Sequence, residues 1–178
     1  MVRRDRITTR DRQRSLVPRA GSCDHAGRSA VQSREVVVQT LSAPAHSLLG
    51  SDALAHVITT NPDGTPQVSV VWCGVTGDEV YFCTEGDTQK VRNLRGDPRI
   101  VLSIEDEERN RRGLQQHLII RGRATITDGP DPALTDQLCQ VYLGSADHPL
   151  NLRDSPTAVV VRVEVEHIGG AGPWVEGG

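Results

Sequence analysis

The chain has 178 residues and a formal net charge of −3, enough for one domain with a sizeable core and too few for two ordinary ones. Charge is unevenly spread: the first thirty-four residues hold nine Arg against three Asp, a net +6, which leaves −9 for the remainder. An acidic domain lacks the Lys/Arg-lined face that a phosphate backbone needs, which argues against nucleic acid as a partner of the folded part.

Residues 1–34 show neither helical nor strand periodicity and combine charge with Ser, Gly and Gln. Such a segment cannot bury enough apolar area to offset its ordering entropy, so a disordered basic leader is expected there, with the folded domain over 35–178. The four cysteines, at 23, 73, 83 and 139, have no C-x-x-C spacing, and the six histidines have no metal-ligand spacing. No apolar run is long enough for a secretory signal or a bilayer span. A cytoplasmic protein with reduced thiols, no metal and no membrane partner is expected.

Ser, Ala and Leu around 45–54 suit a short helix over a barrel end. HVITT, NPDGTP and QVSVVWCGV then read as strand, turn and strand, because Pro62, Asp63 and Gly64 supply turn geometry between β-branched runs. A second turn at 76–78 leads into EVYFCT, which predicts a three-stranded meander. Val68, Ser69, Val70, Val71, Trp72 and Cys73 are apolar or small without alternation. Both faces of that strand are expected to be buried, one in a barrel and one against a second subunit or a ligand.

Asp87 or Thr88 can cap a short helix, TQKVRNLRG, with Val91 and Leu94 inward and Lys90, Arg92 and Asn93 outward. RIVLSIE follows as a strand, EDEERNRRGLQQ as a loop over 105–116, and HLIIRGRATITD as a long strand. Asp131-Pro132 starts an amphipathic helix, the acid as N-cap and the proline at the first helical position. TAVVVRVEVEHIGG is the last strand. Short strands that never alternate as βαβ imply a mainly β fold, a closed or nearly closed antiparallel barrel with short helices.

The run from His56 to Glu105 resembles the pyridoxamine 5′-phosphate oxidase-like split β-barrel superfamily. The likeness rests on a strand ending Thr59-Thr60, a D-G-x-P hairpin, a Val-rich strand with Trp72, a strand ending at Thr84, a helix bearing Lys90, and the R-N-L-R-x-D-P-R turn. The Q-K-x-R-N-L-R-x-D-P-R form and the R-G-R-A-T-I-T strand are most similar to the mostly actinobacterial branch that binds the deazaflavin coenzyme F420. The similarity covers about 54–168. Pyridoxamine oxidases also carry basic substrate-phosphate residues near the C-terminus, and this chain has none after Arg162, which argues against pyridoxamine 5′-phosphate as substrate.

The resemblance implies a Greek-key, FMN-binding-like split barrel that forms a homodimer. It implies an oxidoreductase that passes hydride between F420 and a small organic acceptor. The alternatives are FMN as cofactor on the same fold, and a non-catalytic flavin or deazaflavin carrier. Lys90, the only lysine, sits near a helix N-terminus, where its ammonium joins free N–H groups in an anion site for the cofactor phosphate. Thr84 adds a hydroxyl or is simply a strand former. Arg92 or Arg95 supplies further charge, and Asn93 contacts the cofactor or caps local backbone. Backbone of Val68, Ser69, Val70 and Val71 is placed against the ring, with Thr59 or Thr60 approaching from the neighbouring strand. Trp72 stacks near the ring, fills the subunit interface or belongs to the core. No acid–base residue is expected, since hydride transfer is the cofactor's chemistry.

Overall fold

The structure is a computed structural model and describes residues 38–145 and 152–175. The expected leader, residues 1–34, lies outside the described residues. In order the elements are α1 (Ala43–Leu49), β1 (Ala55–Thr60), β2 (Pro66–Val71), β3 (Gly74–Thr76), β4 (Glu79–Glu85), α2 (Gln89–Gly96), β5 (Arg99–Arg109), β6 (Gln115–Asp128), α3 (Pro132–Leu143) and β7 (Ala158–Ala171). The seven strands form one antiparallel sheet in the order β2-β1-β5-β6-β7-β4-β3. β5 and β6 form a hairpin, β7 follows β6 through the α3 connection, and β4, linked to β5 through α2, lies beside β7, which is the strand order of a Greek key.

The two edge strands of this sheet are consecutive in sequence. β2 ends at Val71 and β3 begins at Gly74, so the edges lie within three Cα steps, at most roughly 11 Å. A flat seven-stranded sheet would hold its edges far further apart. The sheet is therefore rolled into a mainly β barrel, split between β2 and β3. Residues alternate inward along the strands, as Val57, Leu102, Ile104, Leu118 and Ile120 show at zero exposure, and Phe82 of β4 fills the same core. α1 covers one end through Ala45, Leu48 and Leu49.

Two close approaches shape the wall. The β6–β7 register slips at Arg121/Gly122, and a Cβ on Gly122 would lie 2.2 Å from the Glu164 carbonyl oxygen, so the bulge requires glycine. Gly74, at the split, lies under the Tyr81 ring, where a Cβ would stand 2.6 Å away.

Three expectations are corrected. The meander breaks after β2: β4 pairs with β7 and not with β2, because the chain crosses the split at Trp72-Cys73. The expected loop at 105–116 is mostly strand, since β5 runs to Arg109 and β6 starts at Gln115 around an Asn110–Leu114 turn. Charged residues fit there because the ladder pairs their backbone while their side chains reach solvent. Finally, Val68 and Val70 are half exposed within the chain, at 58% and 51%. β2 alternates and covers only its inner face.

Candidate functional site

A cleft of about 440 Å³ opens beside the split. Val70, Val71 and Trp72 at the end of β2 form one wall, and Cys83, Thr84 and Glu85 at the end of β4 form another. Thr88 and Lys90 enter from the start of α2, Thr135 and Leu138 from α3. Barrel topology explains the meeting: the short β3 pairs only with Glu79–Tyr81, so the end of β4 faces the split opposite β2, and three residues separate β4 from α2.

Lys90 is the group with the clearest chemical character. Its side chain is largely buried, and burial lowers its pKa from the ordinary lysine value. Among the described residues it has no hydrogen-bond or ion-pair partner, although Glu85 lines the same cleft. The Glu85 carboxylate instead accepts from the Thr157 hydroxyl at 2.6 Å. Lys90 also lies in the first turn of α2, where backbone N–H groups lack intrahelical acceptors and the helix dipole favours an anion. A buried ammonium without a partner among the described residues, in a cleft lined mostly by apolar groups, is an arrangement that suits an anionic ligand.

The outer wall is braced by an aromatic pair. Trp72 stacks on Tyr142 of α3 with centroids 5.1 Å apart and an interplanar angle of 9°. The Tyr142 hydroxyl accepts from the Cys73 N–H at 3.1 Å and donates to the Ala53 carbonyl at 2.8 Å. It thereby ties α3 across the chain at the split, and burial pushes its pKa up. Trp72 thus lines the cleft and also packs against α3. Burial likewise raises the Cys73 thiol to about 11 and moves Cys83 upward, so neither is a thiolate at neutral pH.

The remaining expected residues separate. Val70, Val71, Thr84 and Lys90 meet in the cleft. Thr59 and Asn93 are buried in a neighbouring polar network, so the outward placement expected for Lys90 and Asn93 is wrong: on α2 both join Val91 and Leu94 on the covered side. Arg92 is exposed and donates to the Asp87 carbonyl and, at 2.9 Å, to the Gln89 side chain. Arg95 pairs with Asp128 outside the cleft. Thr60 is exposed at the end of β1, Val68 is exposed on the outer face of β2, and Ser69 points inward with its hydroxyl buried. As the edge strand, β2 still presents main-chain groups that no strand pairs.

Sequence reasoning missed Thr135 and Leu138 of α3, and Leu152 after it, as cleft residues. The helix itself was legible: the Asp131 carboxylate accepts from Leu134 N–H at 3.1 Å and Pro132 follows it. Which face of the barrel it covers carries no local signal.

Among the described residues there is no cluster of His, Cys, Asp or Glu fit to hold a metal, and no helix long and apolar enough to cross a membrane. Residues 45–170 match the family model of pyridoxamine 5′-phosphate oxidase. Among solved structures, an F420 reductase superposes with a TM-score of 0.59 at 28% identity, over 70% of this chain and 94% of its own. A conserved hypothetical protein from Mycobacterium tuberculosis gives a TM-score of 0.60 at 24% identity, over 75% of this chain and 85% of its own. HupZ from Group A Streptococcus gives 0.55 at 20%, over 78% and 99%. The last two likenesses speak to the fold alone. No curated protein matches the chain. Because the matched span runs from α1 to the end of β7 and takes in every strand of the rolled sheet, the chain belongs to the pyridoxamine 5′-phosphate oxidase family.

Proposed function

We propose that the cleft binds the deazaflavin coenzyme F420 and that the chain, as a homodimer, is an oxidoreductase passing hydride between that coenzyme and a small organic acceptor. The observation that carries this reading is Lys90, a buried cation without a partner at one end of a cleft whose other walls are mostly apolar. The likeness to an F420 reductase at 28% identity supports it.

The residues present suit a ligand with an anionic group and a flat apolar ring. Lys90 and the first-turn N–H groups of α2 would hold the phosphate, with the Thr84 and Thr88 hydroxyls close by. Val70, Val71 and Trp72 would lie against the ring, with unpaired main-chain groups of β2 on its polar edge. Leu138 and Leu152 would exclude water. When bound, the coenzyme supplies the hydride chemistry, and the chain positions it and keeps solvent away. The Glu85 carboxylate, held by Thr157, would stay clear of the phosphate.

FMN is the second reading, and a specific observation favours it. The acidic tail beyond the F420 phosphate calls for more cations, yet Arg92 and Arg95 are both engaged elsewhere on α2. If F420 is the ligand, its tail would cross the outer face of α2 and take Arg95 from the exposed Asp128 pair, an exchange of small cost because exposed ion pairs are weak. Arg95→Ala is then expected to weaken F420 binding roughly threefold to tenfold and leave FMN unchanged. Native mass spectrometry with both cofactors, followed by fluorescence titration, checks the order of preference. Tighter FMN binding would replace the F420 reading, and tight binding without turnover of an artificial electron acceptor would make the protein a carrier.

Leu54, Val68 and Val70, at 48–58% exposure within the chain, leave apolar surface at the cleft that supports the homodimer reading. Light scattering at micromolar concentration is expected to give a dimer, and Val68→Asp to shift it toward monomer. A monodisperse wild-type monomer would sink this assignment.

A further inference from the structure

We propose that Asn93 is a positioning residue: through a chain of side-chain hydrogen bonds, buried at its Asn93–Thr59 centre, it fixes the distance between the Lys90 anion anchor and the β2 wall of the cleft. The inference rests on the reading of Lys90 as phosphate anchor.

Asn93 is buried at 5% exposure and lies one helical turn from Lys90 on the same side of α2. Its amide N–H groups are both used internally, one on Thr59 Oγ1 at 3.0 Å and one on Asn61 Oδ1 at 2.9 Å. Its oxygen accepts from Gln89 at 2.7 Å. The Thr59 hydroxyl, having accepted from Asn93, donates to Gln67 Oε1 at 2.9 Å, and Gln67 belongs to β2 opposite Thr59. With both donors committed, Asn93 offers an anion only a carbonyl lone pair, which repels it. A direct cofactor contact is thus a poor role for this residue.

The chain of bonds instead links the helix that carries Lys90 to the hairpin that carries Val70 and Val71. A ligand that must touch both ends at once gains most when their separation is preset, because no ordering remains to be done on binding. A ligand that touches only one end gains nothing from it. The network therefore acts on the combination of phosphate and ring and on neither alone.

The test uses each cofactor with its phosphate-free parent, FMN with riboflavin and F420 with its deazariboflavin core, and takes the pair that binds. Thr59→Val removes the central hydroxyl at nearly constant shape, Thr59→Ser keeps it, and Asn93→Leu removes the amide. Thr59→Val and Asn93→Leu are expected to weaken the phosphorylated ligand roughly threefold to tenfold and leave its parent unchanged, with Thr59→Ser close to wild type. In a Lys90→Ala background Thr59→Val should add nothing further, because its effect passes through the lysine. Equal weakening of ligand and parent, no weakening of either, or full additivity with Lys90→Ala would overturn the proposal; Thr59→Val serves alone if Asn93→Leu fails to fold. If Lys90→Ala itself does not separate ligand from parent, the anchor reading falls and this inference with it. If Lys90→Ala separates them and the network variants do not, only the positioning role is lost.

Discussion

Lys90→Ala is expected to weaken cofactor binding by about 1–3 kcal/mol, or one to two decades of affinity, with a smaller loss at high salt. Fluorescence titration of the ring measures this directly. The fold should not suffer with it. Lys90 has no ion-pair partner among the described residues and is held partly out of water, so the ligand-free variant Lys90→Met is expected to melt at or above the wild-type temperature. Lower melting together with unchanged affinity would make Lys90 a structural residue.

The pH dependence has a definite sign. Burial lowers the Lys90 pKa below its unfolded value of 10.5, so between the two values the unfolded chain holds more protons and stability rises with pH. A bound phosphate raises the pKa again. Binding is therefore accompanied by proton uptake in the alkaline range: affinity is greatest below the free-protein pKa, falls as pH rises through it, and levels off above the pKa of the complex. FMN adds a second feature, because its terminal phosphate gains its second charge near pH about 6. A phosphate with a chain on both sides has no such proton, so an affinity rise near that pH distinguishes FMN from F420. Retention of full affinity at high alkaline pH would exclude Lys90 as the anchor.

Phe82→Ala is expected to destabilise the barrel by about 3–5 kcal/mol. Phe82 is the only phenylalanine, is fully buried in β4, and occupies a core built mostly of Val, Leu and Ile. Its deletion would leave a void that aliphatic neighbours held in sheet register cannot close. Against a total stability of about 5–15 kcal/mol this is a large fraction, and for a domain of this size it corresponds to roughly 10–20 °C in melting midpoint. Calorimetry or thermal circular dichroism measures it, with Phe82→Leu as the milder comparison at about 1–2 kcal/mol. A shift of only a few degrees for Phe82→Ala would mean that the barrel centre is loosely packed.

Local sequence determined the elements whose causes are local. The β1–β2 turn follows from Asn61-Pro62-Asp63-Gly64: Gly64 takes φ of +85°, and the Asp63 carboxylate accepts from both Thr65 N–H and Thr65 hydroxyl, which holds its pKa below the usual range. The start of α3 follows from Asp131-Pro132 in the same way. The family, and with it the split barrel, was legible in the motif around Lys90, as was the interest of Lys90 itself.

What only the tertiary structure decided depends on closure of the sheet. An apolar run such as Val68–Cys73 is compatible with a strand covered on both faces, but the pairing order makes β2 an edge, and its outer face remains open within the chain. A helix of eight residues cannot state which side meets the barrel when apolar and polar positions interleave. Burial of Asn93 is tolerated only because Thr59, Asn61 and Gln89, distant or near in sequence, satisfy all its hydrogen-bonding groups. The α3 wall of the cleft was invisible for the same reason: Tyr142 meets Ala53 and Cys73 across 89 and 69 residues of chain, and contacts of that range exist only once the barrel has closed.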